Sequence, residues 1–216
     1  FGILRPGDEL LSLTGAPYDT MQTVIGYANP SKGSLKEFGI LYDELPMLAG
    51  KVDLAGIAAK LKPNTKMVLI QRSRGYSMRS PLTIDDIRTI CQTVKKIKPD
   101  CICFVDNCYG EFVDVEEPTQ AGADITAGSL IKNPGGGIAP TGGYIVGRND
   151  LVELASYRLT APGMGDELGA SLANNRLLFQ GLFLAPHVVS QAIKGAILAA
   201  GMFSKLGYKT LPVPTE

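Results

Sequence analysis

Lys132 and Asp106 are the two residues of this 216-residue chain whose types and settings invite chemistry. Lys132 lies in Ser129-Leu-Ile-Lys-Asn-Pro-Gly-Gly-Gly137, after a largely apolar run at 123–127. Proline removes a ladder donor and glycine admits backbone shapes that other residues resist. The lysine therefore falls on an irregular loop at a strand end, where open α/β sheets bind ligands, and not on a solvated helix face. Asp106 closes Cys101-Ile-Cys-Phe-Val-Asp106, which reads as a buried strand ending in an acid. A carboxylate after one buried strand and a lysine after a later one form the pair that pyridoxal phosphate requires. The carboxylate keeps the pyridine nitrogen protonated, so the ring withdraws electrons, and the lysine amine carries the cofactor covalently.

The elements that must position this pair follow from pattern. Residues 9–13, 38–42, 66–70, 101–105, 123–127 and 143–147 read as strands. Apolar positions 84, 87, 90, 91, 94 and 97 form one helical face, behind a capping signal in Thr83-Ile-Asp-Asp86. A shorter apolar face at 54, 57, 58 and 61 predicts a helix over 52–61. Further helices are expected at 150–158, 166–179 and 186–206, parted by Ala161-Pro-Gly163 and Gln180-Gly181, with His187 near the last helix start. Residues 27–37, with Asn29-Pro30, read as a mobile loop. Strand–helix alternation predicts a three-layer α/β fold: a mostly parallel sheet with helices on both faces. Two more strand-end loops then join the site. Arg72 and Arg74 in Gln71-Arg-Ser-Arg-Gly-Tyr76 could fork onto a phosphate or carboxylate. Tyr18 follows the first strand.

Val105-Asp-Asn-Cys-Tyr-Gly-Glu-Phe112 and Ser129-Leu-Ile-Lys-Asn-Pro-Gly-Gly-Gly137 resemble the methionine gamma-lyase-like proteins, also called aluminium resistance proteins. These belong to the cysteine/methionine branch of fold-type I pyridoxal phosphate enzymes. The resemblance runs from Arg5-Pro-Gly-Asp-Glu9 to about Gly201. It implies that Lys132 holds the cofactor and shuttles protons, that Asp106 pairs with the ring nitrogen and that Ser129 donates to the phosphate. It implies that Tyr18 stacks on the ring beside the leaving sulfur. Tyr109, inside the first motif, joins Arg72 and Arg74 as a cofactor-binding candidate. Ile131 stands where many relatives carry a second hydroxyl, so other groups must share the phosphate. The implied activity is β- or γ-elimination from a sulfur amino acid: methionine, cystathionine or cysteine. An aminotransferase and a non-catalytic cofactor-binding protein are the alternatives. The resemblance also implies a homodimer or homotetramer, with Tyr157, Arg158 and 161–163 near the interface or cofactor. Residues 1–206 read as the cofactor-binding large domain, incomplete at its N-terminus, and 207–216 as the start of a link to a C-terminal small domain.

Composition narrows the alternatives. Lys plus Arg equals Asp plus Glu at 21 each, which gives no basic surplus for nucleic acid. The apolar run 192–203 is interrupted by Lys194 and is too short to span a bilayer, so no membrane partner is expected. The clustered cysteines 91, 101, 103 and 108 read as reduced thiols of a cytoplasmic protein, and Cys-X-Cys without a second ligand cluster is no metal site. Ser129-X-X-Lys132 matches the serine-nucleophile motif of penicillin-binding proteins, but Pro134 breaks the helix that motif needs and its partner motifs are absent.

Overall fold

The computed structural model describes residues 1–28, 31–167, 169 and 173–215; Asn29-Pro30 and part of the helix expected at 166–179 lie outside them. Six strands, β1 (Glu9–Ser12), β2 (Leu41–Glu44), β3 (Thr65–Gln71), β4 (Ile102–Asp106), β5 (Ile125–Ser129) and β6 (Gly143–Gly147), form one sheet in the order β2-β1-β3-β4-β5-β6. The first five are parallel, and β6 runs antiparallel to β5. The helices are α1 (Asp19–Ile25), α2 (Ile57–Lys60), α3 (Ile84–Ile97), α4 (Asn149–Leu159) and α5 (Asn175–Lys205).

Side chains alternate across each strand, so the central sheet feeds two cores. Leu11, Val68, Ile70, Cys103 and Val105 pack with Ile87, Ile90 and Val94 of α3. Leu10, Met67, Leu69, Ile102 and Ile125 pack with Ile25 of α1 and Leu151 of α4. Each fully buried aliphatic side chain contributes about 1.5–3 kcal/mol by leaving water. The start of α3 is a reciprocal capping box: Asp86 N–H donates to Thr83 Oγ1 (3.1 Å) and Thr83 N–H to Asp86 Oδ2 (2.9 Å). All four cysteines are free thiols. Residues 35–38 form a 3-10 turn, so the second strand begins later than the pattern predicts.

Three expectations need correction. The helix expected over 52–61 shrinks to Ile57–Lys60, because Asp53 turns its carboxylate onto the N–H of Gly56 (3.0 Å) and Lys62-Pro63 ends the run. Gln180-Gly181 does not separate helices: α5 passes through it and through Pro186, and His187 lies well inside the helix. Its 31 residues also exceed the run judged too short for a bilayer; by length and composition alone, α5 could cross one. Its buried positions are Gly181, Ala185, Val189 and Ala200, which leaves most of an apolar surface exposed.

Candidate active site

The carboxyl ends of β1, β3, β4 and β5 lie side by side, and the sequence-singled residues sit there. Asp106 ends β4 opposite Gln71 of β3 and Ala127 of β5. It is buried, 6% exposed, and its Oδ1 accepts the N–H of Cys108 (3.1 Å). Lys132 follows three residues after the end of β5, and its N–H donates to the carbonyl of Ser129 (3.2 Å). The lysine amine sits 4.4 Å from the centroid of the Tyr109 ring and within reach of the Cys108 thiol and Asp106. Tyr18 immediately precedes α1, and its N–H donates to Gln71 Oε1 (3.0 Å). That bond holds the phenol within electrostatic range of Asp106, Cys108 and Lys132.

These surroundings set proton affinities. Burial raises the Tyr18 phenol, and the nearby Asp106 raises it further, so the phenol keeps its proton at neutral pH and can act as an acid. Burial alone pulls the Lys132 amine down, but Cys108, Tyr109 and Asp106 outweigh it and the net shift is upward. The free amine therefore holds its proton at neutral pH. Burial, with Asp106 second, raises the Cys108 thiol.

The two arginines divide. Arg72 is buried and turned under the β4 loop: Nη1 donates to Asn107 Oδ1 and to the carbonyl of Gly110, both at 2.9 Å, and Nε to that of Leu82 (3.3 Å). Arg74 stays half-buried on the loop surface and reaches the carbonyl of Leu211 (3.4 Å). Ser129 ends β5, half-buried.

Beneath these residues runs a polar network that the sequence did not disclose. Asn107 Nδ2 donates to Glu117 Oε2 (2.9 Å) and Tyr144 OH (3.3 Å), Tyr144 OH donates to Glu111 Oε1 (2.8 Å), and Asn133 Nδ2 donates to the carbonyl of Glu111 (3.0 Å). Glu117 also accepts from the N–H of Phe112 (2.9 Å). Tyr109 and Phe112 have φ of 69° and 60°, a left-handed shape costly for side-chain-bearing residues. Glu117, Asn107 and Arg72 hold that shape and so aim the Tyr109 ring at Lys132. Gly128 makes room: a Cβ there would collide with Glu111 Oε1 and would lie 2.5 Å from the Tyr144 ring. Burial, then the negative charges of Glu117 and Asp106, raise Glu111 despite its bond from Tyr144, and its buried Oε2 has no partner among the described residues. A buried glutamate five residues beyond the strand-end Asp106 reads in sequence as ordinary loop polarity; only the left-handed turn gives it meaning.

Comparison with known proteins completes the picture. Residues 1–216 match the family described as methionine gamma-lyase. The chain belongs to the methionine gamma-lyase family. This family member is 51% identical over 214 residues to the uncharacterized protein YnbB of Bacillus subtilis, an alignment that takes in 98% of this chain and 51% of YnbB. It is 26% identical over 185 residues to the L-methionine gamma-lyase of Pseudomonas deceptionensis, covering 83% of this chain and 40% of that enzyme. Among solved structures, the carbon-sulfur lyase involved in aluminum resistance from Clostridium novyi NT superposes with a TM-score of 0.94 at 50% identity, over all of this chain and 52% of that one. The chain thus spans about half the length of the relatives it matches. The mixed α/β architecture with its six-stranded sheet accords with these lyase neighbours.

Proposed function

We propose that the full-length protein is a pyridoxal phosphate-dependent carbon–sulfur lyase that releases a thiol, ammonia and a 2-oxo acid from a sulfur amino acid. The observation that carries this reading is the convergence of Lys132, Asp106 and Tyr18 at the carboxyl ends of β5, β4 and β1. The donor set fits the cofactor: Asp106 presents a buried carboxylate at the end of β4, Ser129 offers a hydroxyl, and Lys132 an amine beside an aromatic face. When bound, the cofactor supplies an electron sink for charge developing at the substrate Cα. Asp106 would fix the ring by its nitrogen, and Ser129 would take part of the phosphate. Lys132 Nζ, half-buried and beside Cys108, is placed to take the proton from Cα and return it later. Tyr18 holds a phenolic proton at neutral pH and is placed to give it to the departing sulfur.

The wider expectations join the proposal. The sheet and its two cores are read as the larger part of a three-layer domain completed by residues outside this chain. The exposed apolar face of α5, with Phe179, Phe183, Leu198 and Phe203 all more than half exposed, supports assembly into at least a dimer. Four free thiols suit a cytoplasmic setting.

One assay tests the reaction. Full-length protein is incubated separately with cysteine, methionine and cystathionine, and thiol and 2-oxo acid are followed together. Equal release of both is expected from at least one substrate. Oxo acid without thiol, formed only when an amino acceptor is supplied, makes the protein an aminotransferase instead.

A further inference from the structure

The loop after β3 carries a third arginine, Arg79, that neither the motifs nor the cofactor chemistry involve. It is buried, 8% exposed, and lines a groove of about 480 Å3 between the loops that follow β1 and β3. Order reverses here, since β1 is flanked by β2 and β3, and such switch points are where open α/β sheets take ligands. Arg79 Nη2 donates to the carbonyls of Gln71 (3.0 Å) and Ser73 (2.6 Å), and Nη1 to that of Ser80 (2.9 Å). Gln71 in turn holds the backbone of Tyr18, so the arginine is braced against the tyrosine loop. A guanidinium has five N–H donors; Nε–H and one Nη1–H remain.

Among the described residues, no carboxylate answers that charge: neither Arg79 nor Arg74, which lines the same groove, makes an ion pair. Asp19, the one acid in the lining, spends Oδ1 on the N–H of Thr20 (2.7 Å). Buried charges in proteins are paired or meet a ligand, and burial alone depresses the Arg79 guanidinium here.

We propose that this groove is a subsite for a carboxylate at the far end of the substrate, bound by Arg79 with Arg74. The inference rests on the lyase reading and deepens it. With the reacting carbon at Lys132 and the leaving sulfur at Tyr18, which lines the groove, the groove receives the leaving half. The favoured substrate is then a thioether amino acid whose departing thiol carries its own carboxylate. An uncharged alkyl thioether follows the same path without engaging either arginine.

The test uses the full-length protein. S-(2-carboxyethyl)cysteine and S-propylcysteine are similar in length and differ in terminal charge. Wild type is expected to favour the charged one in kcat/KM by about 10-fold or more, the worth of one charge-assisted hydrogen bond. That ratio is expected to collapse in Arg79→Gln and in Arg74→Gln; taken within each variant, it cancels losses of folded protein. A second measurement needs no turnover: glutarate, at constant ionic strength, raises the wild-type melting temperature more than its monoamide or inorganic phosphate does. Turnover without preference, together with no glutarate effect, overturns the subsite and leaves the lyase standing. A glutarate effect without turnover of either substrate keeps the subsite and removes the lyase. A larger effect from phosphate overturns the assignment to a carboxylate.

Discussion

Gly136 and Gly181 bring the Lys132 loop and helix α5 into backbone contact. A Cβ on Gly136 would strike the carbonyl oxygen of Gly181, and a Cβ on Gly181 would strike that of Gly135. No side chain fits between these segments, so the loop that carries Lys132 rests directly on a 31-residue helix. The position of the lysine is therefore set from below by the Glu111–Tyr144 network and from the side by α5.

Substitution at that contact should report on it. In Gly181→Ala, helix and loop must part, at a cost of about 1–3 kcal/mol, typical of overpacking. We expect a lower urea midpoint with an unchanged slope, and weaker cofactor retention. An unaltered midpoint would mean that the contact is easily relaxed.

Lys132 should be the residue that carries the cofactor. Borohydride reduction of the loaded full-length protein, followed by peptide mass analysis, should place the label on the peptide containing Lys132, and Lys132→Ala should give none. Label on another lysine sinks the assignment.

Asp106→Asn keeps the shape of the side chain and removes its charge. A charge-assisted hydrogen bond is worth about 1.5–3 kcal/mol, and the ring loses electron-withdrawing power as well. Turnover should therefore fall further than cofactor affinity, measured by equilibrium dialysis. Equal losses in both would mean that Asp106 only binds.

Glu111 should make stability depend on pH. Its folded-state proton affinity is raised, chiefly by burial. Its contribution is then complete below the pH at which it ionises in the unfolded chain and is lost as pH rises through the folded value. Urea midpoints of wild type should decline through that window, and Glu111→Gln, neutral at every pH, should flatten the decline. Parallel profiles would show that Glu111 does not titrate there.

Much of this arrangement was legible in the chain because punctuation coincided with chemistry. Asp106 closes an apolar run, and Lys132 precedes a proline and three glycines, so strand ends and candidate groups coincide in the sequence. Helix α3 showed both its stripe and its cap. The sequence leaves unmarked those residues whose meaning depends on partners distant in the chain. Asn107, Glu111, Glu117 and Tyr144 look like loop polarity until the left-handed turn folds them inward. Gly181 looks like a helix stop, and only the proximity of Gly135 reveals it as a docking notch. Arg79 carries no periodic signal in the sequence, and only the fold shows it without an ion pair among the described residues.

The strand order also has a bearing on how the chain acquires its shape during synthesis. Glu9 on β1 pairs with Leu41 on one side and Thr65 on the other. A nascent chain leaves the ribosome N-terminus first, so β1 must wait for more than fifty residues before its second neighbour emerges. Closing so long a loop is entropically slow. In that interval the apolar pair Leu10 and Leu11 lies on an open edge, the kind of surface that holdase chaperones bind. The strand whose following loop carries Tyr18 is thus the one that waits longest for its second neighbour.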